Sequence, residues 1–408
     1  MHTETFKQKR KLIVRIGKML HKFGIPAYRL ETHLMNLADS LDLRSSFIIS
    51  PTAMTFVLWT EGHEDEYTHA ARVEPGDLDL GSLSRTDDVV DQIATGELSL
   101  EQANERLDEI ENMDNPYGKV LTAISFILAG SGFSLLARGS FVDAALAGFL
   151  GLIVYLFILW SERSKGITNM LEPLVSLVSA FVAYGVASVY EPSISIWLVT
   201  LSAIIVFIPG LALTIGLNEL SSRHLVSGTV KVMDAIMMLF KLYFGAYLGF
   251  ALGKFVFGEY EVQMAEAVPS YFSWVAIGLF SLSLIIAFRV RTRHIFWSLA
   301  VAYLSFLVSS TTTSYFDYGI GAFLGAFVVG IYGNLFTRFA NAPAVIVTMQ
   351  GLIVLVPGSK TFISLNSYLV GSGFIAAEQA GKQALVILMS LVAGLIFANS
   401  ALPPKKSL

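Results

Sequence analysis

The sequence contains no cysteine and little charge. None of its 408 residues is Cys, and Asp, Glu, Lys and Arg together make up 15% of the chain, against roughly 25% in a typical soluble domain. The missing thiols exclude disulfides, Cys-ligated zinc, iron–sulfur clusters and a thiol nucleophile. The net charge of −4 is small and negative, so we predict no nucleic-acid partner.

The N-terminus lacks the continuous apolar core of a signal peptide. Residues 1–22 carry many Lys and Arg side chains, and such a basic start predicts that the N-terminus stays in the cytoplasm. No Ser-His-Asp arrangement stands out either. His63 and His69 lie near acidic residues, but a solvated hairpin rim explains that pattern more simply than a metal site. We therefore predict no catalytic residue, no metal and no cofactor.

Apolar residues are what the sequence has in excess. They make up 54% of the chain and give a mean hydropathy of +0.62. After Tyr117 they form stretches of about 20 residues, the length that a helix needs to cross a bilayer. These stretches predict a polytopic α-helical membrane protein with about ten transmembrane helices. The ten stretches are 119–137, 141–160, 170–190, 193–216, 228–257, 271–288, 294–312, 316–336, 343–365 and 378–399.

Residues 1–115 are polar enough to form a separate α+β domain on the cytoplasmic side. Helical spacing predicts two helices before Leu41, and two more after Gly81. Strands are predicted over Ser46–Ile49, Thr55–Thr60 and Tyr67–Val73. Ser99, followed by Gln102, has the pattern of a capping box.

Loop charges and span number predict how the helices are arranged. Most loop Lys and Arg residues lie on the side that holds the N-terminus, the positive-inside pattern. Five spans lie on either side of an acidic linker. Because five is odd, the second half starts from the opposite side, which defines a 5+5 inverted repeat. The predicted units are 1–115, 116–258 (first repeat), 259–270 (external linker), 271–402 (second repeat) and 403–408 (cytoplasmic tail).

Two Pro-Gly pairs interrupt apolar stretches at matching positions. Pro209-Gly210 and Pro357-Gly358 lie 148 positions apart, and each is followed by an Asn nine residues after the Pro, Asn218 and Asn366. Proline removes a backbone donor, so a helix breaks there. At membrane depth the freed backbone groups need protein or water as partners. Matched breaks of this kind predict a transporter binding site.

Charged residues share a stripe with small residues in the fifth span. At helical spacing, Lys231, Asp234, Lys241, Gly245 and Gly249 fall on one side, which predicts that the stripe faces the helix bundle. We predict that Asp234 is protonated and deprotonated during transport, while Lys231 or Lys241 tunes it or holds a substrate carboxylate. The alternative is a static ion pair that fixes helix packing.

Polar residues beyond the two breaks are the other candidates for the substrate and proton pathway. Thr214 and Asn218 are predicted to complete a polar pocket beside the broken helix. Glu219 either joins that pocket or caps a helix in a cytoplasmic loop. Lys360 either holds a carboxylate or extends its long side chain to the membrane interface.

Short motifs spread along the chain resemble those of the threonine/serine exporter family, in which a cytoplasmic domain precedes a ten-span membrane region. They are Ala27-Tyr28-Arg29-Leu30-Glu31, Ser50-Pro51-Thr52, Arg72-Val73, Asp79-Leu80-Gly81, Gly96-Glu97-Leu98-Ser99, Asp143-Ala144, Pro209-Gly210, Leu225-Val226-Ser227-Gly228 and Val356-Pro357-Gly358. The family is similar to a split, two-subunit type assigned to dicarboxylate (succinate) export, and here both parts look fused. The resemblance implies efflux of small hydroxy-amino acids driven by the proton gradient.

Together these observations predict a secondary exporter of threonine and serine in a bacterial inner membrane, with both termini cytoplasmic. Its predicted partners are the amino-acid substrate, protons and lipid, and a homo-oligomer is left open. A dicarboxylate exporter, a passive channel and a membrane-anchored sensor or enzyme are the alternatives. In the domain before the spans, Arg29, Glu31, Arg72 and Asp79 fit domain-stabilising charges as readily as ligand contacts.

Overall fold

A computed structural model describes residues 2–61, 66–74, 76, 78–259, 266–355 and 374–406. Its N-terminal unit is a three-stranded antiparallel sheet with four helices, as the sequence predicts. The strands pair in the order β1-β2-β3. The elements are α1 (His2–Lys22), α2 (Ala27–Ser40), β1 (Arg44–Ile49), β2 (Ala53–Trp59), β3 (Tyr67–Arg72), α3 (Leu80–Ala94) and α4 (Leu100–Glu111).

Local sequence determines where several of these elements begin. The predicted capping box at Ser99 is confirmed, since its hydroxyl accepts from the Gln102 amide while the Gln102 side chain accepts from the Ser99 amide. The Asp79 carboxylate caps α3 by accepting from the Ser82 amide. Alternating burial on β2 places Met54, Phe56 and Leu58 in a core shared with α1 and α2.

Eleven further helices fill the rest of the described chain. The first helix group comprises α5 (Gly118–Leu136), α6 (Phe141–Ser161), α7 (Lys165–Val189), α8 (Ile196–Ala203), α9 (Gly210–Ser221) and α10 (Leu225–Phe257). The second helix group comprises α11 (Phe272–Ala287), α12 (Ile295–Tyr315), α13 (Tyr318–Phe339), α14 (Val345–Leu355) and α15 (Phe374–Ala401).

Within the described residues, seven of these helices are long and apolar enough to cross a membrane, and the bent pair α8–α9 raises that number to eight. The ten predicted spans are therefore confirmed only in part. The apolar stretches that give α11 and α14 form shorter helices in the described chain.

The helix break predicted at Pro209 is confirmed. After α8 the chain makes a short 3-10 turn, Ile205–Phe207, and α9 then begins at Gly210 with Pro209 as its N-cap. The two parts differ in direction by 62°. The second predicted break, at Pro357 and Gly358, lies outside the described residues.

Packing brings α9 into contact with all three parts of the chain. It packs against α10 within the first helix group and against α14 and α15 of the second. The α9–α10 contact is close because Gly216 and Gly228 face each other, and a Cβ added to Gly228 would lie 2.7 Å from the Gly216 carbonyl oxygen. The N-terminal unit lies against the turn between these two helices.

Candidate functional site

A small pocket, with a cavity volume of about 20 Å³, lies where the N-terminal unit meets both helix groups. A cavity of that volume holds about one water molecule, so a larger ligand requires the surrounding elements to move apart. The N-terminal unit contributes Pro26, Tyr28 and Arg29, and the first helix group contributes Thr214, Ile215 and Asn218. The second helix group contributes Gly330, Asn334, Thr348, Met349, Leu352, Leu395 and Asn399.

Hydroxyl and amide groups supply most of the polarity of this pocket. The Thr214 hydroxyl, one turn beyond the helix break, donates to the Gly210 carbonyl at 3.1 Å. On the opposite wall, the Asn334 amide donates to Asn399 Oδ1 at 3.0 Å and to the Leu402 carbonyl at 2.6 Å. Asn334 is almost fully buried. The walls therefore present neutral donors and acceptors between apolar side chains.

The N-terminal unit closes one end of the pocket with two consecutive residues of α2. Asn218 Nδ2 donates to the Tyr28 hydroxyl at 2.9 Å, and Arg29 Nε donates to the same hydroxyl at 3.2 Å. Arg29 Nη1 is buried and has no hydrogen-bond partner among the described residues. The N–H donors of this guanidinium nitrogen are thus unused among the described residues.

Glu219 joins the N-terminal unit to the first helix group. Its side chain is 0% exposed and accepts from the Ala27 amide at 2.8 Å and from the Ser227 hydroxyl at 2.7 Å. Lys231 of α10 forms an ion pair with the same carboxylate. The interpretation of Glu219 as a loop cap is therefore wrong, because its side chain is enclosed between α2, α9 and α10.

A second contact joins the N-terminal unit to the turn between α11 and α12. Arg289 pairs with Asp79 at 3.0 Å, and Asp88 accepts from Arg291 at 2.5 Å and from Arg293 at 2.9 Å. Gly81 permits the close approach, since a Cβ there would lie 2.2 Å from the Arg289 carbonyl oxygen.

The end of the described chain also returns to the N-terminal unit. Lys406 Nζ lies 2.6 Å from carboxylate oxygens of both Asp87 and Asp91 on α3. Burial raises the pKa of Asp87 to about 7, although the Lys406 charge acts against the rise. Burial, helped by Lys406, lowers the pKa of His33 to about 4. The tail and α3 thus share an ion-pair cluster in which Asp87 is buried and Asp91 is partly exposed.

The structure separates the charged residues predicted to share one stripe of α10. Lys231 contacts Glu219, whereas Lys241 Nζ lies 3.8 Å from Glu172 Oε2 on α7. Asp234 is exposed on the outer face of α10 and forms no ion pair with any described residue. The stripe does not face one common neighbour because α10 packs on α9 near Gly228 and on α7 near Gly245 and Gly249.

Of the predicted site residues, Thr214 and Asn218 line the pocket, Pro209 and Gly210 begin the helix above it, and Glu219 lies beside it. Lys360 and Asn366, like Pro357 and Gly358, fall outside the described residues. Asn334, Thr348 and Asn399 also line the pocket but are not predicted from the sequence, because they lie in apolar helices with no distinguishing motif around them. Across the described ranges, no three His, Asp or Glu side chains come together as metal ligands would.

The long apolar helices, the broken helix and the polar pocket between helix groups define a multi-pass helical membrane protein of the transporter type. Two family models match the chain, both described as threonine/serine exporter, over residues 11–253 and 271–401. The first covers more than half of the chain. The chain therefore belongs to the threonine/serine exporter family.

Curated relatives are similar over most of this chain. Pheromone-regulated membrane protein 10 of Kluyveromyces lactis is 25% identical over 91% of this chain and 39% of its own length. The Saccharomyces cerevisiae protein of the same name is 25% identical over 91% of this chain and 49% of its own length. This chain thus spans less than half the length of these relatives. They are yeast membrane proteins and give no support to a bacterial location. No solved structure matches the chain.

Proposed function

We propose that this protein exports small polar amino acids, threonine and serine, through the pocket between its two helix groups. The main support for this proposal is that polar residues of both helix groups line the same pocket. Residues Thr214 and Asn218 on a broken helix face Asn334 and Asn399 from the other group. A site built from both groups is what alternating access requires, because relative motion of the groups exposes it to either side in turn.

The proposal includes a 5+5 inverted repeat with the boundaries predicted from the sequence and both termini in the cytoplasm. Equivalent packing in the two groups supports it. In the first group α7 packs on α10 and α6 on α8, and in the second α13 packs on α15 and α12 on α14. These pairs occupy the same places in the order of spans.

The proton step is proposed for an acidic side chain of the first helix group. Asp234 is the carrier predicted from the sequence, and Glu219 is the acid that lies beside the pocket. An acid that exchanges protons during transport should lose gradient-driven transport when its carboxylate becomes an amide. Asp234→Asn and Glu219→Gln therefore separate the two candidates, provided that threonine binding is retained.

Transport into proteoliposomes tests the function directly. With an imposed proton gradient, we expect radiolabelled L-threonine to move against its concentration gradient and L-serine to compete with it. Counterflow of succinate without counterflow of threonine would favour a dicarboxylate exporter. Threonine flux that does not respond to the proton gradient would indicate a channel.

The same preparation tests the remaining alternatives. A membrane-anchored sensor or enzyme predicts that the N-terminal unit acts without transport, so vesicles would show no threonine flux. Mass measurement in detergent would give the oligomeric state.

A further inference from the structure

We propose that Arg29 of the N-terminal unit binds the carboxylate of the transported amino acid, so that this unit supplies a ligand to the transport site. The inference rests on the proposed function, in which the pocket is the substrate site. It assigns a substrate contact to a residue outside both helix groups.

The unused donor of Arg29 is the first argument. A guanidinium carries five N–H donors in a rigid plane. Here Nε donates to Tyr28, while Nη1 is buried at the pocket without a partner among the described residues. A buried polar group that lacks a partner is costly, more so when it is charged. A bound carboxylate would satisfy it with a charge-assisted hydrogen bond.

The charge of the pocket wall is the second argument. Arg29 is the one charged residue among the described residues that line the pocket. The nearby acids already have cationic or polar neighbours. Glu219 is held by Lys231, and Glu31 lies 3.6 Å from His224 Nδ1. The pocket therefore presents one positive charge to a ligand.

One cation among neutral groups fits one carboxylate. The hydroxyl and amide oxygens of Thr214, Asn218 and Asn399 can accept hydrogen bonds from an ammonium group and from a substrate hydroxyl. A dicarboxylate would leave its second charge facing these neutral groups. The described wall is thus suited to a small zwitterion.

The position of Arg29 depends on contacts at the start of α2. The Ala27 amide donates to Glu219, and the Tyr28 hydroxyl accepts from Asn218. Both bonds lie just N-terminal to Arg29 and hold the start of α2 against α9. A displacement of the N-terminal unit would therefore withdraw the carboxylate ligand together with the wall of the pocket.

The test is equilibrium binding to the purified full chain, using L-threonine and L-threoninamide, which keeps the ammonium and hydroxyl groups but lacks the carboxylate. We expect Arg29→Gln to weaken threonine binding at least about tenfold and threoninamide binding less than about twofold. Arg29→Lys should recover part of the loss. Arg106→Gln, an exposed arginine paired with Glu109, should change neither.

Equal losses for both ligands would assign Arg29 a purely structural role and overturn the proposal, as would unchanged threonine binding. The proposed function fails separately. The wild type could bind succinate but not threonine, and Arg29→Gln could weaken binding of succinate but not of succinamide. That result would contradict the proposal of threonine export and support the proposed contact between Arg29 and a carboxylate. If the wild type binds threonine and threoninamide equally, the proposed contact between Arg29 and the carboxylate is contradicted, while the proposal of threonine export is not. Binding of neither carboxylate would overturn both.

Discussion

The N-terminal unit meets the two helix groups through contacts of opposite character. The contact with the first group centres on one carboxylate, Glu219, which is completely buried. The contact with the second group uses Arg289, Arg291 and Arg293 against Asp79 and Asp88. Asp79 is buried, whereas the three arginines and Asp88 are partly exposed. The first contact thus depends on one buried carboxylate, whereas the second divides among several ion pairs that are more exposed to solvent.

This difference predicts different responses to mutation and salt. Removing one partner of a buried ion pair leaves an uncompensated charge, whereas exposed pairs contribute little and are screened. The first contact also adjoins the pocket, since Ala27 and Asn218 flank Glu219. We therefore expect the buried contact at Glu219 to determine the position of the pocket residues. We expect the ion pairs of the second contact to contribute mainly to docking of the N-terminal unit.

The largest effect is expected for Glu219→Ala. The substitution leaves the Ala27 amide, the Ser227 hydroxyl and Lys231 without their shared acceptor, at a cost of about 3 kcal/mol. Hydrogen exchange should show faster opening of α2 in the full chain. Glu61→Ala, which removes an exposed pair with Arg44, is the control and should cost less than about 0.5 kcal/mol. Similar exchange in both variants would contradict a dominant stabilising role for the buried Glu219 carboxylate.

Gly81→Val probes the close approach in the second contact. Its Cβ would meet the Arg289 carbonyl oxygen at 2.2 Å, so the turn must shift, at a cost of about 2 kcal/mol. The thermal unfolding midpoint of the full chain should fall. At Gly166 an added Cβ has no neighbour closer than 3.9 Å, so Gly166→Ala should leave the midpoint nearly unchanged. An unaffected midpoint in Gly81→Val would mean that the N-terminal unit does not dock there.

The lowered pKa of His33 predicts that acid reduces the stability of the part of the N-terminal unit that contacts the C-terminal tail. Its pKa is about 4 in the folded chain and 6.5 in the unfolded chain, so the unfolded state binds more protons between these values. Stability should therefore fall as pH decreases from 6.5 to 4, by on the order of 2 kcal/mol.

His33→Gln should remove this contribution, so the measurement is the difference in unfolding midpoint between wild type and variant across that pH range. The difference cancels the opposite slope from Asp87, whose raised pKa favours the folded state at acid pH. A difference that does not change with pH would contradict the assignment.

The smallest effect is expected for Asp88→Asn. It weakens the pairs with Arg291 and Arg293, worth about 1 kcal/mol together at low salt. Because these side chains are partly exposed, the difference from wild type in hydrogen exchange of α3 should shrink at about 1 M salt. A loss as large as that of Glu219→Ala, or one insensitive to salt, would make the two contacts alike.

Local chemistry explains which features the sequence predicts well. The break at Pro209, the capping box at Ser99 and the three strands follow from neighbouring residues, and the structure has all of them. The pocket depends on distant ones, since Tyr28 and Asn218 lie 190 positions apart. Spacing on α10 placed Asp234 with Lys231, but it could not show that successive turns of that helix face different neighbours.

The central claim is that the pocket between the helix groups binds the substrate, and thiol labelling in vesicles tests it most directly. Because the chain has no cysteine, Asn218→Cys and Asn399→Cys each carry a single thiol, one on either side of the pocket. We predict that L-threonine slows maleimide labelling of both, and leaves labelling of the exposed Ser222→Cys control unchanged. Equal labelling rates with and without threonine at both pocket positions would contradict the claim.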